Sequence, residues 1–315
     1  MTGKEPDLVP LIVILGPTAS GKSALGIELA RRFNGEVLVC DSTQVYRHFD
    51  IGTAKVPAAE RQGITHHLTD LVEATAVFTA GEYRRRAITV LDDLKGRAKL
   101  PIITAGTGLY LRALLEGLAD APERSEELRA RLREIAEQRG PEHLHRILGK
   151  IDPEASQKIA ARDAQKVIRA IEIRKLAEKP VADVHRAGRR PLTGYSVTRI
   201  GLSPDRKALY DRINDRTRAM IAAGWIDEVR QVLASGVGPD AKPFQFIGYA
   251  EIRSHLEGRL TEEQAVREIQ QATRQFAKRQ MTWFRRETNV QWMRGFGDEP
   301  ALAEEAVSIV KDAIS

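Results

Sequence analysis

The sequence predicts an α/β protein in which a parallel sheet core is flanked by helices and carries an inserted helical subdomain. Three observations carry that reading. Gly16-Pro17-Thr18-Ala19-Ser20-Gly21-Lys22-Ser23 is a complete G-x-x-x-x-G-K-S/T phosphate loop, preceded by an apolar run at 11–15 and followed by a helical pattern at 24–33. Short apolar runs at 11–15, 36–40 and 100–104 alternate with helical patterns, which is the signature of a doubly wound sheet with ligands at the carboxyl ends of its strands. From Ala119 to about Thr198 the texture changes to charged helices, such as 126–138 and 164–176, with little strand signal. The first two observations make the core P-loop NTPase-like, spanning 1–118 and 199–315, and the third sets 119–198 apart as the insertion.

In the phosphate loop, glycines let successive backbone N–H groups turn onto phosphate oxygens. Lys22 adds a point charge, and the Ser23 hydroxyl is placed to ligate Mg²⁺. In the helix that follows, Leu25, Leu29 and Phe33 recur every four residues, and its N-terminal dipole favours the same anion. A diphosphate is the expected occupant. Asp41 follows the second strand, in Asp41-Ser42-Thr43-Gln44-Val45-Tyr46, and faces the loop across the cleft. A carboxylate there is placed to act as a base, with helix capping or water-mediated Mg²⁺ binding as the alternatives.

Asp50-Ile51-Gly52-Thr53-Ala54-Lys55 and His66-His67 read as loop segments lining the cleft, the adjacent histidines pointing apart and making a poor metal pair. Gly106-Thr107-Gly108-Leu109-Tyr110 opens a helix after the third strand, offering backbone N–H groups and the Thr107 hydroxyl to an anion or a nucleic-acid phosphate, with a tight turn as the plainer alternative. A strand at 197–202 leads into helices over 206–235 and a final long helix over about 261–286. In that helix, basic residues stand at 274, 278, 279, 285 and 286. Arg274, Lys278 and Arg285 share a face suited to phosphates, whereas Phe276 and Trp283 are expected on the core side; a solvated basic helix is the plainer alternative.

Composition narrows the setting. The 49 Lys and Arg exceed the 43 Asp and Glu by enough to give +6, which is compatible with a polyanionic partner. Basic clusters stand at Arg84-Arg85-Arg86 and Arg189-Arg190. The single cysteine, Cys40, excludes an intramolecular disulfide and a cysteine zinc cluster, and reads as a buried strand residue. The charged N-terminal stretch does not resemble a signal peptide, and no apolar segment is long enough to span a bilayer, so a cytoplasmic protein with no membrane partner is expected. The residues alone leave open a phosphate-loop kinase with ATP in the loop and a noncatalytic RNA-binding protein that uses the loop as a nucleotide switch.

The phosphate loop, the Asp41 and Asp50 segments, Gly106-Thr107-Gly108-Leu109-Tyr110, Ile247-Gly248-Tyr249, and Thr273-Arg274-Gln275 through Phe284-Arg285 together resemble the bacterial tRNA dimethylallyltransferase family over about residues 10–290. The resemblance implies transfer of a dimethylallyl group from dimethylallyl diphosphate to N6 of adenosine 37 of tRNA, releasing diphosphate, by a monomer that uses Mg²⁺. It implies Asp41 as the base, Thr18 near the bridging oxygen and Arg216 against the diphosphate. It also implies that Asp41, Ser42, Thr43 and Gln44 meet the adenosine and that Thr107 and Arg129 touch the tRNA. The RNA path would be lined by Gln165, Lys166, Val167, Ile168 and Arg169, by Gln245, Phe246, Ile247, Gly248, Tyr249 and Ala250, and by Lys278, Arg279, Gln280, Met281, Thr282, Trp283, Phe284 and Arg285. Two departures are Ala105 where the family often has Gly, and Ser23 where it often has Thr. Neither removes a needed group. Eukaryotic members carry a C-terminal zinc finger, which the single Cys40 cannot build, so the bacterial type fits better; a relative acting on free adenine nucleotides, which shares the loop and the base, is the nearer rival.

Overall fold

Val9–Leu15 forms β1, and its last five residues are buried, as a central parallel strand requires. The computed structural model describes residues 8–119, 121–186 and 188–314. After β1 come α1 (Lys22–Arg32), β2 (Gly35–Cys40), β3 (His66–His67), α2 (Ala80–Gly96), β4 (Leu100–Ala105) and α3 (Gly108–Leu115). A helical stretch follows: α4 (Glu126–Arg139), α5 (Pro141–Ile151), α6 (Pro153–Lys158), α7 (Ala164–Leu176) and α8 (Val181–Arg186). The chain then forms β5 (Tyr195–Leu202), α9 (Arg206–Ala222), α10 (Trp225–Ala234), α11 (Tyr249–Leu256), α12 (Glu262–Phe284), β6 (Val290–Met293) and α13 (Pro300–Ile314). It divides into two compact units, one of residues up to Leu114 together with Thr193 onward, the other Leu115–Leu192.

In the first unit all strand pairs are parallel, in the order β3-β2-β4-β1-β5-β6. Leu15 pairs with Ala105, and Ala105 with Cys40, so three strands end at one level and release their loops side by side. The apolar runs locate β1, β2 and β4. β6 is four residues long and β3 is two polar ones, too short for hydrophobic periodicity to reveal. The His66-His67 pair, expected as a cleft loop, is therefore an edge strand. Leu25 and Leu29 of α1 and Val307 and Val310 of α13 share one core cluster with Ile12, Ile14, Ile102 and Ile200. Gly26 permits the close approach of α1 to β4, since a Cβ there would lie 2.8 Å from Thr104 Cγ2. Cys40 is fully buried, and burial pushes its thiol up to about 12.

The second unit packs α4, α5, α7 and α8 around Leu144, Leu148, Val167 and Ile171. Glu172 is fully buried within it. Burial alone would raise its carboxyl, but hydrogen bonds from Arg129, Arg169 and the Ser125 N–H outweigh that and hold it at about 2.

Glu36 on β2 is also buried, accepts two bonds from Arg97 at 2.6 and 2.9 Å, and meets His67 Nε2 at 2.7 Å. The Arg97 guanidinium holds this carboxyl at about 2, below its ordinary 4.5. The resulting stability is present above pH 4.5 and is lost as pH falls toward 2. Because Arg97 remains 41% exposed, solvent screening reduces the contribution to about 2 kcal/mol. Glu36→Gln should cost that much at neutral pH, and the gap from the parent should close between pH 4.5 and 2 in denaturant titrations. A gap unchanged at low pH would refute this linkage.

Candidate active site

Helix α1 begins without a side-chain cap: Gly21 occupies the N-cap position at φ 87°, in the left-handed region. The first-turn N–H groups of a helix lack intrahelical acceptors, so an uncapped start preceded by a glycine-bearing loop is prepared for an anion. Lys22 Nζ donates to the carbonyls of Gly16 and Pro17 at 2.9 and 2.8 Å, folding its charge into the loop. Burial lowers the Lys22 ammonium to about 8, with Asp41 opposing and Arg216 reinforcing the shift. The Ser20 hydroxyl is fully buried with no hydrogen-bond partner. An incoming anion would relieve the crowding of positive charge.

Ser23 is exposed on the second residue of α1. Mg²⁺ takes oxygen ligands, keeps most of its waters, and typically uses only one or two protein oxygens beside substrate phosphates. Among the described residues no three His, Cys, Asp or Glu side chains form a metal cage. The donor set therefore fits an ion shared with a diphosphate through Ser23, and does not fit a closed protein site.

Asp41 leaves the end of β2 beside Gly106 at the end of β4. Its Oδ1 accepts from the Thr43 N–H and hydroxyl at 2.8 and 2.7 Å, while a Cβ on Gly106 would lie 2.5 Å from Oδ2. Glycine is thus required at 106 for this carboxylate to take its place. Of the N–H groups expected to face an anion over Gly106 to Tyr110, those of Gly106 and Thr107 are already committed, both donating to Cys40 O at 3.0 Å in a tight turn. The Thr107 hydroxyl is likewise committed, accepting from the Ser42 N–H at 2.9 Å and donating to Ser42 Oγ at 3.2 Å. This turn fixes the backbone after Asp41.

α9 and α12 complete the cleft. Arg216 Nη1 donates to Thr18 Oγ1 at 3.4 Å, and burial together with Arg212 lowers its guanidinium. Arg212 makes a bidentate pair with Asp298, which lies against Gly21. From α12, Gln280 accepts from the Thr18 N–H and donates to Gly106 O, both at 2.7 Å. Thr18, Asp41 and Arg216 line one cavity of about 510 Å³, most of whose remaining wall is apolar, including Ile213, Met220, Phe246 and Ile269.

Two tryptophans close its sides. Trp283 packs on Gly108, with the Arg112 guanidinium 4.7 Å from the ring centroid. Trp225 lies between Gly52 and Gly248, where side chains would collide with its indole. Both indole N–H groups are buried without a partner. Phe276 and Trp283 face the cavity, contrary to the core-side placement expected for them. Gly52, Thr53 and Ala54 line the cavity, but Lys55 turns inward to Asp50, Asp70 and Tyr46 O. Glu228 on α10 fixes that loop, accepting from the Asp50 and Ile51 N–H groups at 2.8 and 2.7 Å and from the Tyr249 hydroxyl at 2.6 Å. Sequence reasoning missed Trp225, Glu228, Arg212 and Asp298, whose partners lie far away in the chain.

The residues assigned to an RNA path separate into two groups. Ser42, Thr43, Thr107, Gln245, Phe246 and Ile247 line the cavity, and Arg279 reaches it from α12. Lys278, Thr282 and Arg285 are exposed, and so are Gln165 and Lys166. By contrast, Gly248 and Tyr249 are buried, while Gln280, with both amide ends bonded, and Phe284 are buried against the wall of the same cavity. Val167 and Ile168 belong to the core of the second unit. Gln44 donates to Thr53 O, Met281 and Ala250 are half-buried, and Arg129 and Arg169 are held by Glu172. Arg274 bonds Asn214 Oδ1 at 2.6 Å and so is tied to α9, while Lys278 and Arg285 remain at the surface.

Comparison with known proteins matches residues 44–287 to the IPP transferase family. The chain is similar to the tRNA dimethylallyltransferase of Koribacter versatilis, 53% identical over 301 residues covering 96% of this chain and 98% of the relative. The corresponding protein of Solibacter usitatus is 46% identical over 302 residues, covering 96% and 98%. Among solved structures, the tRNA isopentenylpyrophosphate transferase of Bacillus halodurans superposes with TM-score 0.70 at 35% identity, covering 97% of this chain and 98% of that one. A eukaryotic dimethylallyltransferase acting on tRNA superposes at 0.83 with 26% identity, covering 97% and 79%.

Gly108→Ala should push the Trp283 ring off the cavity wall and cost about 1–3 kcal/mol by overpacking. The expected signature is a lower melting temperature with altered tryptophan emission. Unchanged emission would show that the indole does not depend on this glycine.

Proposed function

Because the chain belongs to the IPP transferase family, we propose that its cleft transfers a dimethylallyl group from dimethylallyl diphosphate to N6 of adenosine 37 of tRNA, releasing diphosphate. The observation that carries this reading is the opposition of Thr18 from the phosphate loop, beside the Arg216 guanidinium, and the Asp41 carboxylate around one largely apolar cavity next to the uncapped start of α1. A diphosphate seats on the α1 N-terminus, and the apolar wall accommodates an isoprenoid tail and excludes water. The N6 lone pair bonds to the allylic C1 carbon, the C1–O bond breaks with its electron pair on the diphosphate, and the N6 proton passes to Asp41. Lys22 and Arg216 stabilise the charge that develops on the leaving group, and the Thr18 hydroxyl, within reach of Arg216, serves the bridging oxygen. Mg²⁺ held by Ser23 and the diphosphate would supply further neutralisation there.

The adenosine reaches Asp41 only after leaving the anticodon-loop stack, a small cost in a single-stranded loop. The exposed Lys278, Arg279 and Thr282 of α12, with Arg285 at its C-terminal cap, are placed to meet RNA phosphates. For the second unit, Gln165 and Lys166 take that role; Arg129 contributes chiefly by holding Glu172. In this reading the enzyme works in the cytoplasm, where a lone thiol stays reduced, and as a monomer, since one chain supplies both the loop and the base.

Incubation with Mg²⁺, labelled dimethylallyl diphosphate and unmodified tRNA tests the reading, with labelled ATP and free adenine nucleotide in parallel. Label should enter tRNA. Asp41→Asn preserves an acceptor for Thr43 and should lower the transfer rate about 10²- to 10⁴-fold. Label in free nucleotide alone, or ATP turnover without prenyl transfer, would overturn the assignment. Lys278→Ala and Arg285→Ala should each flatten the salt dependence of tRNA binding by about 0.7–0.9 in log–log slope. An unchanged slope in both would remove α12 from the RNA path.

A further inference from the structure

We infer that Gln280 is a positioning residue that sets the distance between the leaving-group side and the base side of the reaction, a role that rests on the proposed function. Gln280 is 6% exposed. Oε1 accepts from the Thr18 N–H and Nε2 donates to Gly106 O, each at 2.7 Å. Those contacts sit on the two halves of the chemistry. Thr18 belongs to the phosphate loop and carries the hydroxyl next to Arg216. Gly106 lies so close to Asp41 that a Cβ there would approach Oδ2 to 2.5 Å. One side chain from α12 thus spans two loops that are distant in sequence and leave the sheet side by side, after Leu15 of β1 and Ala105 of β4.

The other amides near the cleft do less. Gln44 donates within its own loop, to Thr53 O at 2.9 Å, and Gln270 ties α12 to Asn214 O at 3.1 Å on α9. Neither bridges the phosphate loop to the base. A carboxamide suits the task because it supplies one donor and one acceptor at fixed separation and no charge beside Lys22, Arg216 and Asp41. Carboxylate or ammonium would satisfy one end only. The same helix exposes Lys278 and Thr282, two residues to either side, so RNA bound to that surface is anchored to the backbone that carries this tether.

Misplacement of reacting groups by about 1 Å can cost about 10²-fold in rate, so the effect belongs in the chemical step. Gln280→Met removes both hydrogen bonds at nearly constant volume, and Gln280→Glu keeps an acceptor for the Thr18 N–H while setting an oxygen against Gly106 O. The readouts are the single-turnover transfer rate at saturating dimethylallyl diphosphate and tRNA, the tRNA dissociation constant, and hydrogen exchange at the Thr18 amide. For Gln280→Met we expect transfer about ten- to hundredfold slower, tRNA affinity within about threefold of the parent, and faster Thr18 exchange. Gln280→Glu should recover the Thr18 protection without recovering the rate. Parental transfer by either folded variant, or loss confined to tRNA affinity, would overturn the role; should the Met variant not fold, the Glu variant decides. If the parent itself transfers no prenyl group, the proposed function fails, while Thr18 exchange in the variants still reports whether the tether exists.

Discussion

The register of the parallel sheet is the constraint on which the cleft depends. Leu15, Ala105 and Cys40 are aligned across β1, β4 and β2, and each is followed at once by a residue of the site: Gly16, Gly106 and Asp41. Parallel strands must all release their loops at the same edge, so three chemically different segments are delivered to one place by hydrogen-bond geometry alone. A one-residue slip of β2 would turn its side chains to the opposite face and withdraw Asp41 from the phosphate loop. The buried apolar runs of β1, β2 and β4 resist such slips by the area they remove from water. The core thus fixes reaction geometry as well as stability.

On that frame the molecule concentrates charge where water is scarce. Burial lowers both Lys22 and Arg216, and Arg212 adds to the crowding, with Asp41 the chief opposing carboxylate. Cations held this way are costly in the free protein and become favourable when a diphosphate arrives, so part of the anion's binding energy is already stored in the fold. Glu172 is the contrasting case. Its two arginines and the Ser125 N–H satisfy it completely, and its charge holds the second unit together without serving chemistry.

The sequence made the phosphate loop, its helix, the place of Asp41 and the presence of an insertion legible because each depends on local pattern: glycine spacing, apolar periodicity and a change of texture; the insertion's bounds, expected at 119–198, fall instead at Leu115–Leu192, because Tyr195 to Thr198 already belong to β5. It could not reveal that the Gly106 and Thr107 N–H groups are already spent on Cys40 O, since that follows from strand register. Nor could helical periodicity assign Phe276 and Trp283 to their side, because a cleft wall and a core demand the same apolar residues. The family motif that groups Gln280, Phe284, Gly248 and Tyr249 with RNA contacts is similarly silent about depth. All four are buried, and Tyr249 is held by Glu228 on another helix. Long-range pairs such as Gly108 with Trp283, or Gly52 and Gly248 with Trp225, leave no trace at any fixed spacing.

Those glycine–tryptophan contacts explain how an apolar cavity can sit directly beside a phosphate site. Departure of a diphosphate leaves electron deficiency on an allylic carbon, and bulk water there would capture the prenyl group in place of N6. Exclusion of water requires large side chains, and their approach to the backbone of the loops requires glycine. Trp283 meets this need at Gly108, with Arg112 over its ring, and Trp225 meets it between Gly52 and Gly248. Both indole N–H groups lack partners, a penalty that smaller aliphatic residues would have avoided at the loss of ring area. That aromatic rings persist despite the penalty points to the wall of the cavity as the feature they serve. On the proposed reaction, electrostatics selects the diphosphate, and the wall determines which nucleophile receives what the diphosphate leaves behind.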